Sequence, residues 1–357
     1  MEKLLLVKGI EGLGNRILCM LTASLYAQLT GRKLVVDWRD ECYASGGTNA
    51  FDHFFLSHLC WPVSKVPETD SVAPEIWRGH LNEPAWLLRE RHGKLNDANG
   101  WRAFSVDLGR LDYSQHVAVM WTYKDELNPL RPHLHAAGKP LSSESRFAVL
   151  RSLLHQNFIL HPQIREAVDR FKEHNFTKRT IGVHIRYSDY RTALWPTLKA
   201  VYELIDFDPT CRIFVCTDNI QIKRLFERQF RNVVSTSHWF PSTPGLPLHY
   251  DMNRPNPLLT GIECLVDLYL ISECDELIVD TSSSFAYVAT LLTNSPVYDK
   301  KRRDKLSPRI RHISTALLNR LRFQSWAPDV TAKLVRQQRR LERRFLANRR
   351  IHPPVRR

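Results

Sequence analysis

The sequence lacks both the long hydrophobic run of a membrane protein and the paired cysteines of a disulfide framework. No apolar stretch approaches the ~20 residues that a membrane-spanning helix needs. The opening stretch MEKLLLVKGIEGLG has no small-residue cleavage site, so we interpret its apolar residues as a buried strand rather than as a signal peptide. The seven cysteines form no CxxC pair and are odd in number. This pattern favours reduced thiols and predicts a cytoplasmic protein.

Several catalytic and metal-binding motifs are also missing. The chain contains no HExxH motif, no GxSxG elbow and no Walker A loop. Two histidine pairs, His133 with His135 and His155 with His161, do not have the spacing of a compact zinc site. These absences count against a metalloenzyme, a serine hydrolase and an ATPase, and we predict that the protein has no metal site.

The net charge of +14 would suit a nucleic-acid-binding protein, but it is concentrated at the end of the chain. Residues 300–357 contain 19 of the 51 Lys and Arg residues and 3 of the 37 Asp and Glu residues. Residues 1–299 therefore hold 32 basic and 34 acidic residues, a net charge of −2. Because the body of the protein is nearly neutral, nucleic-acid binding stays open only as a property of the basic tail.

Short β-rich segments separated by helix-length segments predict an α/β protein. They carry continuous apolar residues, as parallel strands covered on both faces do. The helical pattern after the first strand ends at Gly31. We predict two Rossmann-like domains, residues 1–175 and 176–325, followed by a basic helical tail at 326–357. The predicted strands are Leu4 to Val7, Lys33 to Trp38, His116 to Trp121, Thr180 to Arg186, Arg212 to Thr217, Asn232 to Ser235, Glu276 to Asp280 and Pro296 to Tyr298.

Residues 40–115 are less regular and rich in aromatic side chains. Such a segment either fills a local core with its aromatic rings or lines a cleft as a loop-rich excursion, and we favour the core interpretation. The aromatic residues concerned include Phe51, Phe54, Phe55, Trp61, Trp77 and Trp86.

The strand GVHIR ends in a histidine and an arginine. His184 and Arg186 are two residues apart and therefore share one face of the strand, while Val183 and Ile185 share the other. A buried arginine without a counter-charge is costly, so Arg186 meets either Asp189 or an external anion. The first alternative is an ion pair that closes the loop, and the second is a ligand site.

Two other predicted strands end in polar residues at the same edge of the second sheet. The strand FVCTD ends in Thr217 and Asp218, and IVDTSSS leads through Ser282, Ser283 and Ser284 into a helix. An arginine together with the N-terminus of a helix is sufficient to bind a pyrophosphate without a metal. We therefore predict an anion site where these strand ends converge.

The turn after the first strand, GIEGLGNRI, faces the same region in a two-domain arrangement. Gly12 and Gly14 precede a helix that Asn15 opens, which directs backbone N–H groups toward a ligand above the strand. The spacing is not the full GxGxxG dinucleotide fingerprint, because Ile17 occupies the third glycine position. A tight turn without a ligand is an equally good interpretation of this segment taken alone.

Taken in order, these motifs resemble the bacterial nodulation-type α1,6-fucosyltransferases and, more distantly, the animal core α1,6-fucosyltransferases. The resemblance covers most of residues 8–300. It is carried by SLYAQLTGRKLVVDWRDECY, NAFDHFF, VAVMWTYKDELN, GVHIR, FVCTD and GIECLVDLYLISECDELIVDTSSSFAYVA. It implies a GT-B fold whose C-terminal domain binds the donor, and an inverting transfer of fucose from GDP-fucose without a metal.

The resemblance also implies roles for individual residues. Arg186 looks like the arginine that binds the donor β-phosphate, and His184 and Asp267 look like the pair that contacts guanine. Ser282, Ser283 and Ser284 resemble the serine loop on the phosphate side. For Asp267, the alternative is an exposed polar position on a helix.

Two departures from the family bear on the mechanism. Tyr187 stands where the animal enzymes keep a second arginine, and Leu194 stands near the position of their catalytic carboxylate. The base that activates the acceptor is therefore unassigned. Asp189 is predicted either as a catalytic partner of Arg186 or as a structural one.

The tail reads TAKLVRQQRRLERRFLANRRIHPPVRR from Thr331 and has the pattern of a basic amphipathic helix. It predicts either peripheral contact with anionic lipid, which suits an enzyme on the inner membrane face, or a solvated tail.

We predict a GDP-sugar-dependent, inverting fucosyltransferase that acts on a glycan or a lipid-linked oligosaccharide. The alternatives are a catalytically idle sugar- or nucleotide-binding relative and, less favoured, a nucleic-acid-binding protein.

Overall fold

The apolar segments of the chain form two five-stranded parallel sheets in a computed structural model that describes residues 2–92, 100–136, 143–241, 245–251 and 253–299. The basic tail and its predicted helix at 326–357 lie outside the described residues, as do the last residues of the predicted second domain. The strands, in chain order, are Leu4–Lys8 (β1), Lys33–Asp37 (β2), Phe55–Leu56 (β3), Cys60–Trp61 (β4), Val72–Ala73 (β5), Val117–Met120 (β6), Ile159–Leu160 (β7), Thr180–Ile185 (β8), Arg212–Thr217 (β9), Val233–Val234 (β10), Glu276–Val279 (β11) and Val297–Asp299 (β12).

Helices cover the faces of both sheets, as the continuous apolar strands require. They are Leu13–Thr30 (α1), Ala50–Phe54 (α2), Ala85–Arg91 (α3), Arg131–Ala136 (α4), Arg146–Asn157 (α5), Pro162–Asn175 (α6), Leu194–Phe207 (α7), Ile220–Gln229 (α8), Pro257–Ser272 (α9) and Ser284–Leu292 (α10). The first helix ends where predicted: Gly31 adopts a left-handed conformation with φ 65° and its N–H donates to the carbonyl of Ala27.

The strand order is β4-β2-β1-β6-β5 in the first sheet and β10-β9-β8-β11-β12 in the second. All pairings within these two sheets are parallel, whereas β3 and β7 form a separate antiparallel pair. The predicted α/β class is confirmed, and each of the eight predicted strands is present. The two-residue strands β3, β4 and β5, which lie in the irregular segment 40–115, and β7, which lies between α5 and α6, were not predicted.

The largest hydrophobic cluster runs through both halves of the chain. It joins residues of α1 and α5 to residues of α9 and α10, for example Leu18 and Leu153 to Leu268 and Val288, all nearly inaccessible to solvent. The predicted domain boundary after residue 175 falls between the end of α6 at Asn175 and the start of β8 at Thr180. Residues from both sides of that boundary therefore contribute to one hydrophobic core.

The irregular segment at 40–115 supplies rings to local packing, as favoured. Trp77 is fully buried and donates its indole N–H to the carbonyl of Phe104, and Phe51 and Phe54 pack edge-on against Trp38. Trp86 differs, since 44% of it is exposed. None of the helices in the described part of the chain combines the length and hydropathy required to cross a bilayer.

Candidate active site

The carboxyl ends of β8 and β9 face the N-termini of α1 and α10 across a cleft. The empty space in this cleft, including the part that is open to solvent, is about 780 Å³. Ten of the twelve predicted site residues line it: Gly12, Gly14, Asn15, His184, Arg186, Thr217, Asp218, Asp267, Ser283 and Ser284. The other two, Asp189 and Ser282, are not among the lining residues.

Arg186 lines the cleft and is also paired with Asp189. Its Nε and Nη2 atoms donate to the two carboxylate oxygens of Asp189 at 3.0 and 2.8 Å, a bidentate geometry. Burial disfavours the charged form of Asp189, but the attraction of Arg186 and hydrogen bonds from Arg186 and Ser188 outweigh it, so the pKa of Asp189 lies below its usual value. The loop-closing ion pair is therefore present, and it fixes the plane of a guanidinium that still faces the cleft.

Asp218 secures the loop that follows β8. Its carboxylate accepts hydrogen bonds from the backbone N–H of Tyr187 at 2.6 Å and from the hydroxyl of Ser188 at 2.5 Å. Burial raises the pKa of Asp218 in spite of these bonds. Asp218 thus holds the backbone next to Arg186 in place. Its position at the end of a strand in the sequence did not predict this role.

His184 lies on a buried wall of the cleft. Its ring stacks on Phe285, with 5.2 Å between the ring centroids and 21° between the planes. His184 is 6% exposed, and Phe285 also lines the cleft. Phe285 was not predicted as a site residue, because an aromatic residue at the second position of an apolar helix gives no functional signal.

Asp267 lies on α9 and is buried, so the alternative of an exposed position on this helix is wrong. The hydroxyl of Thr236 donates to its Oδ1 at 2.6 Å, and the Nδ1 atom of His238 lies 3.7 Å from its Oδ2. Burial raises the pKa of Asp267, although His238, Thr236 and Cys216 all favour its charged form. Thr236 and His238 were missed, since they lie in an irregular segment without hydrophobic periodicity.

The two halves of the protein meet closely at the first turn of α1. A Cβ atom on Gly14 would lie 2.4 Å from the backbone nitrogen of Phe285 and 2.4 Å from the carbonyl carbon of Ser284. The hydroxyl of Ser284 donates to Oδ1 of Asn15 at 2.7 Å, and Nδ2 of Asn15 donates to the carbonyl of Tyr123. The predicted turn residues therefore join the N-termini of α1 and α10 directly, and glycine is required because backbone approaches backbone.

Ser283 provides an unoccupied polar group at the N-terminus of α10. It is 1% exposed, lines the cleft and makes no side-chain hydrogen bond to any residue that the structure describes. Its hydroxyl lies where the N–H groups of the first helical turn concentrate positive partial charge. Ser282 is more exposed, and its backbone N–H donates to Asp280 at 3.0 Å.

A second, larger cavity lies beside the first, with an empty volume of about 1,360 Å³. Its lining includes Glu11, Trp86 and Tyr250, together with His249, which also lines the first cleft. Glu11 occupies a left-handed backbone conformation, with φ 62°. This is uncommon for a residue other than glycine and is enriched at functional turns.

No group of three or more His, Cys, Asp and Glu side chains in the described part of the chain is arranged to hold a metal ion. The seven cysteines are all free.

Comparison with known proteins identifies similar proteins that are described as Nodulation protein Z. Residues 149–305 match the family model described as Nodulation protein Z (NodZ). Curated Nodulation protein Z from Azorhizobium caulinodans is 26% identical over 319 residues, which cover 79% of this chain and 86% of the relative. The protein of the same description from Bradyrhizobium diazoefficiens is 23% identical over 312 residues, which cover 78% of this chain and 76% of the relative.

A solved structure described as NodZ α1,6-fucosyltransferase soaked with GDP-fucose has the same fold. Its TM-score is 0.56 at 22% identity, and the match covers 82% of this chain and 93% of the solved chain. The resemblance to the nodulation-type fucosyltransferases that the sequence motifs indicated is thereby confirmed, and the predicted GT-B architecture is that of the similar structure.

Proposed function

We propose, from its similarity to nodulation protein Z, that this chain is a glycosyltransferase that transfers fucose from GDP-fucose to a sugar hydroxyl. The observation that carries the proposal is the convergence of Arg186, the buried hydroxyl of Ser283 and the N-terminus of α10 on one cleft. The transfer forms an α1,6 linkage with inversion and needs no metal, as the resemblance implies. A solved structure of similar fold was soaked with GDP-fucose.

The diphosphate of the donor belongs beside Arg186 and Ser283. The pair with Asp189 uses Nε and Nη2 of Arg186, so Nη1 is the guanidinium nitrogen outside that pair. An arginine oriented in this way stabilises the negative charge that develops on GDP as the bond to fucose breaks. Ser283 and the first turn of α10 add donors for the phosphate oxygens. In this account Asp189 positions Arg186, and Thr217, Asp218, Gly12, Gly14 and Asn15 shape the cleft.

The guanine base belongs beside Asp267 and His184. A carboxylate can accept two hydrogen bonds from the N1 and N2 groups of guanine, which uracil cannot reproduce. Asp267 is buried and already accepts a hydrogen bond from Thr236, so the acceptor capacity that remains on its carboxylate is valuable to a ligand that brings two donors. The stacked pair of His184 and Phe285 provides a flat wall beside it.

Titration of GDP and UDP tests the guanine assignment. We expect the wild-type protein to bind GDP at least tenfold more tightly than UDP, and Asp267→Asn to lose most of this difference while its affinity for UDP changes little. Calorimetry measures both dissociation constants, and the circular dichroism spectrum establishes that the variant is folded. Equal affinity of the wild-type protein for the two nucleotides would remove Asp267 and His184 from the proposed roles.

We also propose that the acceptor is a glycan or a lipid-linked oligosaccharide and that residues 331–357 contact an anionic membrane. This segment contains ten Lys and Arg residues against the single acidic residue Glu342. Basic residues near an anionic lipid surface contribute about 1 kcal/mol each to binding. Such contact would place the enzyme on the inner face of a cytoplasmic membrane.

A further inference from the structure

One histidine connects the donor cleft to the second cavity. Among the described residues that line the second cavity, His249 also lines the donor cleft. Its side chain is 11% exposed, so the ring is largely enclosed but still reaches both spaces. A group at this junction is placed where a hydroxyl from one cavity would meet the anomeric carbon of a sugar in the other.

The ring of His249 is held by the turn that contains Glu11. The Nε2 atom of His249 lies 3.9 Å from Oε2 of Glu11, and the hydroxyl of Tyr250 donates to the same carboxylate oxygen. Gly12 favours this close approach, because a Cβ atom there would lie 3.3 Å from Cε1 of His249, slightly closer than an ordinary van der Waals contact. The carboxylate of Glu11 therefore faces the imidazole of His249 at the junction of the two spaces.

The surroundings favour the neutral imidazole. Burial lowers the pKa of His249, Glu11 raises it, and Arg16 and Arg186 lower it further, with a net shift below the usual value. The ring of Tyr250 packs against His249 at 4.3 Å, and the thiol of Cys42 donates to the His249 carbonyl rather than to its ring. A neutral imidazole next to a carboxylate is able to accept a proton near neutral pH.

We propose that His249 accepts the proton of the acceptor hydroxyl, that Glu11 stabilises the resulting imidazolium, and that the second cavity binds the acceptor saccharide. In this step the acceptor oxygen forms a bond to C1 of fucose while the bond from C1 to the phosphate oxygen breaks, and its electron pair leaves with GDP. The hydroxyl proton moves to the imidazole of His249. The inference rests on the proposed function and supplies the base that the sequence did not identify.

The lining of the second cavity indicates the class of acceptor. Trp86 exposes an indole face whose Nε1 atom is fixed by donation to the carbonyl of Asp40 at 3.2 Å. Such a face buries the apolar side of a pyranose ring. Three lining carboxylates, Glu11, Glu41 and Glu90, outnumber the single lining arginine, Arg89, while the fourth, Asp40, is neutralised by an ion pair with Arg16. An acceptor with carboxylate or sulfate groups would be repelled, so the site fits a neutral or amino-bearing oligosaccharide.

The test begins with a glycan array of neutral, amino-bearing and acidic oligosaccharides, incubated with the full-length protein and labelled GDP-fucose. We expect transfer to neutral or amino-bearing glycans and little to acidic ones. With the best acceptor, His249→Gln should lower kcat by at least 100-fold, within the usual contribution of about 10²–10⁴ from a general base. Its Kd for GDP should stay within threefold of the wild-type value, and the surface variant His53→Gln should transfer normally.

The pH profile of kcat/KM separates a chemical role from a structural one. For the wild-type protein, kcat/KM should fall tenfold per pH unit below the pKa of His249, because the protonated ring cannot accept a proton. Glu11→Gln removes the carboxylate that raises this pKa. It should therefore shift the acidic limb to lower pH and reduce kcat, while the Kd for GDP is unchanged. Trp86→Ala should raise KM for the acceptor without changing GDP binding.

Three results would overturn the inference: wild-type transfer rates in His249→Gln, an acidic limb that does not move in Glu11→Gln, or GDP-fucose hydrolysis without transfer to any glycan on the array. Failure of the proposed function would look different. In that case the wild-type protein would neither bind GDP in preference to UDP nor hydrolyse GDP-fucose.

Discussion

At the scale of single residues, the carboxylates in and beside the candidate cleft lie in contrasting environments. Asp189 is held ionised beside Arg186, with its pKa lowered, whereas burial raises the pKa of Asp218 and of Asp267. Asp218 uses its oxygens to fix the loop after β8. Asp267 is the one of these three for which the proposed ligand supplies the compensating donors.

This contrast predicts a pH dependence of GDP binding. Guanine donors favour ionised Asp267, so binding to the protonated form must release a proton. We expect the affinity for GDP to be constant above the raised pKa of Asp267 and to fall as the pH drops through it, by up to tenfold per pH unit. UDP is the control because it carries the same diphosphate. The affinity for UDP should not show the fall that protonation of Asp267 causes. In Asp267→Asn the difference in pH dependence between GDP and UDP should disappear; its persistence would place the titrating group elsewhere.

The sequence identified site residues where strands ended and missed them where the chain was irregular. His184, Arg186 and Thr217 could be predicted because β-branched strands predict a sheet and the carboxyl ends of parallel strands share one edge. Thr236, His238 and His249 could not be predicted in the same way. They lie between β10 and α9, in a segment whose position depends on tertiary contacts rather than on periodicity.

At the scale of elements, the contact between α1 and α10 joins the two halves at the cleft. The helices open at Leu13 and Ser284, and the hydrogen bond from Ser284 to Asn15 lies at their junction. The sequence predicted the turn around Gly14 as part of a ligand site. The reason for the glycine, an opposing backbone from a helix about 270 residues later, could not be read from local sequence.

Gly14→Ala should therefore disturb both stability and binding. The added Cβ would meet backbone atoms of Ser284 and Phe285 at 2.4 Å, and overpacking of this kind typically costs about 1–3 kcal/mol. We expect a lower free energy of unfolding in urea and weaker GDP binding, since Phe285 lines the cleft. Gly109→Ala is the matched control, because its Cβ would meet only the flexible side chain of Asp107 at 3.3 Å. A Gly14→Ala protein as stable as wild type would mean that the two helices separate without cost.

At the scale of the whole molecule, the two sheets are joined by a shared core and the charge is segregated. The largest hydrophobic cluster contains residues of α1 and α5 together with residues of α9 and α10. Sequence patterns predicted two halves because each repeats strand and helix segments. They could not show that the helices of both halves pack against one another, since periodicity identifies an apolar face but not its partner.

The charge segregation predicts that the tail contributes membrane affinity separately from catalysis. Deleting residues 331–357 removes ten basic side chains and should reduce co-sedimentation with vesicles that contain anionic lipid at least tenfold. Binding of GDP should be unchanged. Raising the salt concentration should weaken vesicle binding of the full-length protein, because the attraction is electrostatic. Equal sedimentation of the two proteins, or loss of nucleic-acid binding alone on deletion, would contradict a membrane role.

The central claim, that the cleft uses GDP-fucose with Arg186 stabilising the departing GDP, is tested most directly by GDP release from a panel of GDP-sugars and UDP-sugars. This measurement needs no acceptor, because water can accept the sugar slowly. We predict a rate of GDP release from GDP-fucose well above the rates from GDP-mannose and the UDP-sugars. In Arg186→Ala this rate should fall at least 100-fold. Arg186→Lys should recover it only in part, because lysine keeps the charge but not the bidentate pair with Asp189. Release from no GDP-sugar, or wild-type release by a folded Arg186→Ala protein, would contradict the account.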